Sequence, residues 1–137
     1  MELKDYFIFQ PITLIFSQVV NMQHQDELKY KSPCGKEIPV AVADTFVSRF
    51  WGLMGKKEGD YGLLLKPCNL IHTFFMRYPL DAIYLDNQNR VLSMKRMIKP
   101  FRITRPVQNA TRVLEFPSSL NAMAFVKEGG TISFYQY

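Results

Sequence analysis

Cys68, His72 and Met76 stand four residues apart in the stretch CNLIHTFFM. A thiol, an imidazole and a thioether are soft donors, and together they suit Cu(I). On a helix this spacing stacks the three on one face. On a strand they share parity but spread over about 13 Å. Thr73, Phe74 and Phe75, with Pro67 and Pro79 at the flanks, favour the strand. Donors strung along a strand need a second element to close a shell. Residues of these types are more often a buried thiol, a hydrogen-bonded histidine and a core methionine, so no metal or other cofactor is expected.

Acid–base chemistry is the second candidate. Its sharpest form is a small hydrolase-like enzyme with Cys68 as nucleophile, His72 as base and Asp81 as orienter. Asp86 is an alternative partner for His72, and Thr73 an alternative nucleophile. No spacing rule ties these residues together, and Asp81 and Asp86 serve equally well as turn residues beside Pro79 and Asn87-Gln88-Asn89. No catalytic residue is therefore assigned.

Two binding chemistries remain. Arg49, Arg77 and Glu115, rimmed by Trp51, His72 and Asp81, would make a polar-aromatic groove for a small molecule or a peptide carboxylate. Internal ion pairs between a helix and a sheet are the plainer use of the same charges. Lys95, Arg96, Lys99, Arg102 and Arg105 form a basic run interleaved with Met97, Pro100 and Phe101. Such a run suits phosphate, with an aromatic to stack a base, and would touch anionic lipid weakly. No nucleic-acid module with a known grammar surrounds it, so a solvated basic loop is the commoner outcome.

The elements that must position these residues follow from composition and punctuation. The chain has 137 residues, 47% hydrophobic and 21% charged, with a formal charge of +5. These values describe one domain able to bury a core, and exclude a disordered polar chain, a collagen-like repeat and a multidomain enzyme. Cys34 and Cys68 are too few for a disulfide scaffold, and two reduced thiols favour a reducing compartment. Residues 6–20 read YFIFQPITLIFSQVV. Glu2 and Asp5 offset Lys4, Gln10 and Pro11 interrupt the run, and no small-x-small site follows. The expectation is a strand followed by a polar linker, with no membrane span, in a cytoplasmic protein.

Residues 38–42 read as an edge strand, or the first residues of one, because Pro39 interrupts the run. Asp44 caps a helix over residues 45–54, where Phe46, Phe50, Leu53 and Met54 recur at helical spacing and Gly55 ends it. A short strand covers residues 61–65. Residues 70–78 (LIHTFFMRY) read as a central strand with large side chains on both faces. Residues 81–86 and 90–98 form a hairpin across Asn87-Gln88-Asn89. Residues 108–116 are a further strand, residues 120–126 a second short helix, and residues 131–137 a closing strand.

Several motifs carry a family resemblance. They are Trp51-Gly52-Leu53-Met54-Gly55, Gly62-Leu63-Leu64-Leu65, and His72-Thr73-Phe74-Phe75-Met76-Arg77-Tyr78-Pro79-Leu80-Asp81. Tyr84-Leu85-Asp86, Arg90-Val91 and Val113-Leu114-Glu115-Phe116-Pro117 follow in order. From residue 38 to the end, the chain resembles the prokaryotic family called domain of unknown function 192. The resemblance implies a compact, β-rich single domain and no established activity. Family members often carry a secretion signal or lipoprotein anchor, and this chain shows no convincing one. The family's usual acidic residue after the second glycine of the C-terminal turn is also missing, since Thr131 follows Gly130.

The expected fold is mainly β: a compact antiparallel β-barrel or sandwich with two short helices. Residues 1–31 form an N-terminal extension, and residues 32–137 the single domain. The expected function is a non-catalytic small binding or structural domain, its partner a small molecule or peptide, with no strong nucleic-acid signal.

Overall fold

The computed structural model describes residues 28–45, 48, 49, 53 and 57–136. Seven strands make one sheet: β1 (Leu28–Lys31), β2 (Glu37–Ala43), β3 (Gly62–Leu65), β4 (Leu80–Leu85), β5 (Val91–Ile98), β6 (Arg112–Pro117) and β7 (Phe134–Gln136). Their spatial order is β5-β4-β6-β3-β2-β1-β7. The sequence explains who sits at the centre. LDAIYL of β4 and GLLL of β3 are buried at every position, as strands covered on both faces must be. β5 is only partly buried and lies at an edge.

Two turns set the hairpins. Gly35, at φ 88°, turns β1 into β2. Asp86 turns β4 into β5: its Oδ1 accepts the Gln88 amide at 2.8 Å and the Arg90 amide at 2.9 Å. The hairpin expected across Asn87-Gln88-Asn89 is therefore present, with Leu85 opposite Val91.

Each face of the sheet has its own core. On the first, Tyr30, Ile38, Leu64, Ile83, Leu114 and Phe116 are closed over by Leu120, Met123, Val126 and Ile132 from the chain after β6. On the second, Leu63, Leu65, Ala82, Tyr84 and Val113 meet Cys68, Ile71, Met76 and Tyr78 from the chain between β3 and β4. Gly62 begins β3 where a Cβ would run into the Phe116 ring and approach the Glu115 carbonyl at 3.0 Å. A glycine is needed there for closeness rather than for turning.

The structure corrects the expected architecture. The sheet is neither a closed barrel nor a sandwich. β5 and β7 are its edges and do not pair, and irregular chain, not a second sheet, covers both faces. It is not purely antiparallel either, since β2 and β3 run parallel from Val40 opposite Gly62. β2 is interior, not an edge strand. Pro39 lies opposite Lys29 in the ladder with β1, one residue before the ladder with β3 begins at Val40.

The two short helices are not found as expected either: among the described residues no helical element is longer than one 3-10 turn, although Ser48 and Arg49 of the first expected helix are helical. Residues 118–126 make a 3-10 turn, Ser118–Leu120, ended by Asn121 in the left-handed region at φ 48°. Turns then carry the chain to Val126. Much of the other expected helix, at residues 46, 47, 50–52 and 54, lies outside the described residues. Within it, the Arg49 amide donates to the Thr45 carbonyl at 3.0 Å.

Residues 70–78 form neither a strand nor a helix. His72 makes an isolated bridge to Ile103, and the chain then turns at Phe74 and Phe75, the latter at φ 60°. Alternation of large side chains fits a strand equally well, so the pattern alone could not reveal the turn. Among the described residues, no helix is long and apolar enough to cross a membrane.

Candidate functional site: a basic and aromatic loop surface

β4 begins where β5 and β6 end, because Leu80 lies opposite both Ile98 and Pro117. The chain entering β4 and the chains leaving β5 and β6 therefore meet at one end of the sheet. Thr73 stitches the first two together. Its amide donates to the Arg102 carbonyl at 2.8 Å, and its carbonyl accepts the Phe101 amide at 2.8 Å. Its hydroxyl donates to the Lys99 carbonyl at 2.7 Å and accepts the Arg102 amide at 2.9 Å. Thr73 itself is fully buried. One step back, the Thr104 hydroxyl accepts from the Ile71 amide at 3.0 Å and from the Tyr84 hydroxyl at 2.9 Å. The loop pair is thus fastened to the second face of the sheet.

This anchoring holds Phe75, Phe101 and Ile103 outward, and two more large apolar side chains, Met97 and Phe125, are exposed on other segments. Phe75 is 66% exposed, Met97 62%, Phe101 57%, Ile103 55% and Phe125 77%. All but Ile103 have positive φ: 60° at Phe75, 53° at Met97, 60° at Phe101 and 65° at Phe125. A bulky side chain in that region costs about 1–3 kcal/mol and persists only where its surroundings over-determine it. The Phe75 and Phe101 rings meet edge to face, 5.6 Å between centroids.

Met97 sits in a bulge. Ala82 faces Lys95 while Leu80 faces Ile98, leaving an extra β5 residue between them. The buried Asp81 carboxylate fixes it, with Oδ1 accepting the Met97 amide at 2.9 Å and the Ser118 hydroxyl at 2.7 Å. Phe125 lies in the chain after β6. Arg96 reaches that segment, its Nη2 donating to the Met123 carbonyl at 2.9 Å.

The basic run divides around this surface. Lys95 lies 5.6 Å from the centre of the Tyr84 ring, on the second face, whereas Arg96 turns to Met123 on the first. Lys99 and Arg102 are exposed in the Phe101 loop, Arg77 is exposed two residues beyond Phe75, and Arg105 is exposed further along.

The other expected groups are only partly brought together. Glu115 is buried on the second face beside Ala82, and its carboxylate acts on the Cys68 thiol, as does Arg49. Burial, then Glu115, pushes Cys68 up to about 12. Its Sγ donates to the Leu70 carbonyl at 2.9 Å. A thiol held protonated in this way is the reverse of an activated nucleophile. Asp81 leaves β4 on the opposite face, with Ile83 and Phe116, so the sheet stands between it and Cys68. His72 is half-buried, stacks on Phe74 at 5.3 Å and accepts the Phe74 amide at Nδ1 over 3.3 Å. Met76 is buried in the second core. Trp51 lies outside the described residues. Among the described residues, no three His, Cys, Asp or Glu side chains gather as a metal site would require.

Sequence reasoning missed the outward role of Phe75 and Phe125, and the part played by Thr73. A phenylalanine leaves no mark of a left-handed backbone in its own type. The signal within reach was the lack of any Asp or Glu in residues 70–79, 95–106 and 118–127.

Comparison with known proteins is consistent across the domain. The family model described as Uncharacterized ACR matches residues 28–134. UPF0127 protein TK1120 of Thermococcus kodakarensis is 37% identical over 114 residues, covering 79% of this chain and 70% of its own length. UPF0127 protein PH1112 of Pyrococcus horikoshii is 33% identical over 101 residues, covering 70% of this chain and 87% of its own. The chain spans 65% of a relative from Thermococcus gammatolerans and 54% of one from Thermococcus sibiricus.

Among solved structures, a protein of unknown function from Novosphingobium aromaticivorans superposes with TM-score 0.66 at 20% identity, covering 78% of this chain and 83% of that one. A candidate transcription regulator from Sinorhizobium meliloti gives TM-score 0.65 at 16% identity, covering 81% and 92%. At these identities the likeness is one of fold alone.

Proposed function

The chain belongs to the domain of unknown function 192 family, and on that scaffold we propose a non-catalytic docking module whose binding surface is the loop cluster at the start of β4 and the ends of β5 and β6. The observation that carries this reading is the left-handed backbone at Phe75, Met97, Phe101 and Phe125, all of them exposed. Burial of these side chains contributes little to folding, while their backbone positions cost stability. Strain of this kind collects where a protein presents groups to something else. The two free cysteines fit work in a reducing cytoplasmic setting.

The test uses an anionic naphthalene-sulfonate dye, which brightens on an apolar surface carrying positive charge. The native full chain is expected to enhance its fluorescence, and the Phe75→Asn/Phe101→Asn variant to lose most of that enhancement. Asparagine is chosen because it tolerates positive φ. Equal dye binding by the variant would place the accessible apolar surface elsewhere and end the reading.

A further inference from the structure

Resting on that docking reading, we propose that the partner of this surface is an anionic lipid bilayer, into whose interface Phe75, Phe101, Met97 and Phe125 insert. Two features of the surface choose this occupant.

The first is charge. The two loops that hold Phe75 and Phe101, residues 70–79 and 98–106, carry four Lys or Arg and no Asp or Glu, in a chain whose total is 17 against 12. Lys95 and Arg96 turn to opposite faces, and Glu58 accepts from Ser119 in the chain after β6. Arg77, Lys99 and Arg102 are exposed in the same two loops as the Phe75 and Phe101 rings. Cations placed beside apolar tips meet lipid headgroups while the tips reach the acyl boundary.

The second is shape. The exposed apolar groups come from separate segments: Phe75 and Phe101 meet from two loops, Met97 stands in the β5 bulge, and Phe125 lies in the turns after β6. A folded protein partner would need a matching socket for each tip. A fluid bilayer accepts them without one. Nucleic acid fits less well, because stacking asks for open aromatic faces. Phe75 and Phe101 are turned edge to face on each other, and Met97 and Ile103 offer no ring, so Phe125 alone of these exposed groups stands as an aromatic outside that pair.

The experiment is co-sedimentation of the full chain with large unilamellar vesicles. One set contains phosphatidylcholine with about 30% phosphatidylglycerol, and the other phosphatidylcholine alone. The wild type is expected to pellet with the anionic vesicles, at least about tenfold more tightly than with the neutral ones, and to be released by high salt. Phe75→Asn/Phe101→Asn and Lys99→Glu/Arg102→Glu are each expected to weaken binding by about tenfold or more. No pelleting with anionic vesicles overturns the lipid proposal. Undiminished pelleting of the phenylalanine variant overturns it too, by assigning membrane contact to another part of the chain, such as the apolar residues 6–20. Salt-sensitive binding to single-stranded DNA or polyglutamate, without binding to vesicles, replaces lipid with that partner. These outcomes are separate from failure of the docking reading, which shows instead as unchanged dye binding in the Phe75→Asn/Phe101→Asn variant.

Discussion

Asp81 accepts the backbone amide of Met97 at 2.9 Å, so a buried carboxylate on β4 fixes the bulge that turns an exposed methionine outward from β5. The same oxygen takes the Ser118 hydroxyl at 2.7 Å. One side chain thereby ties the ends of three neighbouring strands. Asp81→Ala leaves the Met97 amide and the Ser118 hydroxyl without this acceptor and is expected to cost about 2–3 kcal/mol in urea unfolding. Asp81→Asn retains an acceptor oxygen and should cost roughly half of that. An Asp81→Ala midpoint equal to wild type would remove the carboxylate from this role.

Thr73 performs the matching task for the other two loops. Thr73→Val keeps the shape but deprives the Lys99 carbonyl of a donor and the Arg102 amide of an acceptor. A loss of about 1–3 kcal/mol is expected. Faster hydrogen exchange at the Arg102 amide should accompany it, and exchange in β3 and β6 should change little. Uniform loosening of the whole sheet would mean that Thr73 is simply a core residue.

Gly62 gives a test of packing rather than polarity. Gly62→Ala drives a Cβ into the Phe116 ring, which is completely buried and has little room to retreat. Overpacking of this kind costs about 1–3 kcal/mol. Adding Phe116→Leu to the alanine variant should recover part of the loss, measured as non-additivity in a double-mutant cycle.

The two thiols should behave in opposite ways. Cys34 is exposed, and the Ser32 hydroxyl, followed by the Lys36 backbone, lowers its pKa. Cys68 is buried and pushed up from 9.0 to about 12. A thiol reagent should modify Cys34 promptly and Cys68 only on unfolding. Burial likewise pushes Tyr30, Tyr78 and Tyr84 up from 10.0 to about 12. These folded-state values exceed the unfolded ones. Their contribution to stability is therefore complete below about pH 9 and is lost as the pH rises toward 12, where the unfolded chain ionises first. Stability that stays flat from pH 9 to pH 11 would contradict these burials.

The parts of the fold legible in the sequence were those governed by short-range rules. The hairpin at residues 86–90 was visible because Asp86 and the Asn87-Gln88-Asn89 run have a local mechanism. The strand at residues 61–65 was visible from the alternation of Tyr61, Leu63 and Leu65 and its stop at Pro67, and DAIYL from its short length before the hairpin turn. Two features escaped for physical reasons. Residues 70–78 alternate large side chains as a strand does, yet their backbone groups pair with residues 101–104, a choice made by tertiary contacts through Thr73 and Thr104. Residues 120–126 have a helical pattern, but Asn121 enters the left-handed region after one 3-10 turn. The basic run was seen as a run. Its division between two faces required the β5 pleat and the contacts of Lys95 and Arg96.

The claim that apolar side chains are held outward for binding, at a cost to the backbone, is tested most directly by urea midpoints of four single variants: Phe75→Asn, Met97→Asn, Phe101→Asn and Phe125→Asn. Stability equal to or above wild type is expected at all four positions, since strain is relieved and little burial is lost. A loss of more than about 2 kcal/mol at Phe75 or Phe101 would show those rings to be packing the fold, and would contradict the claim.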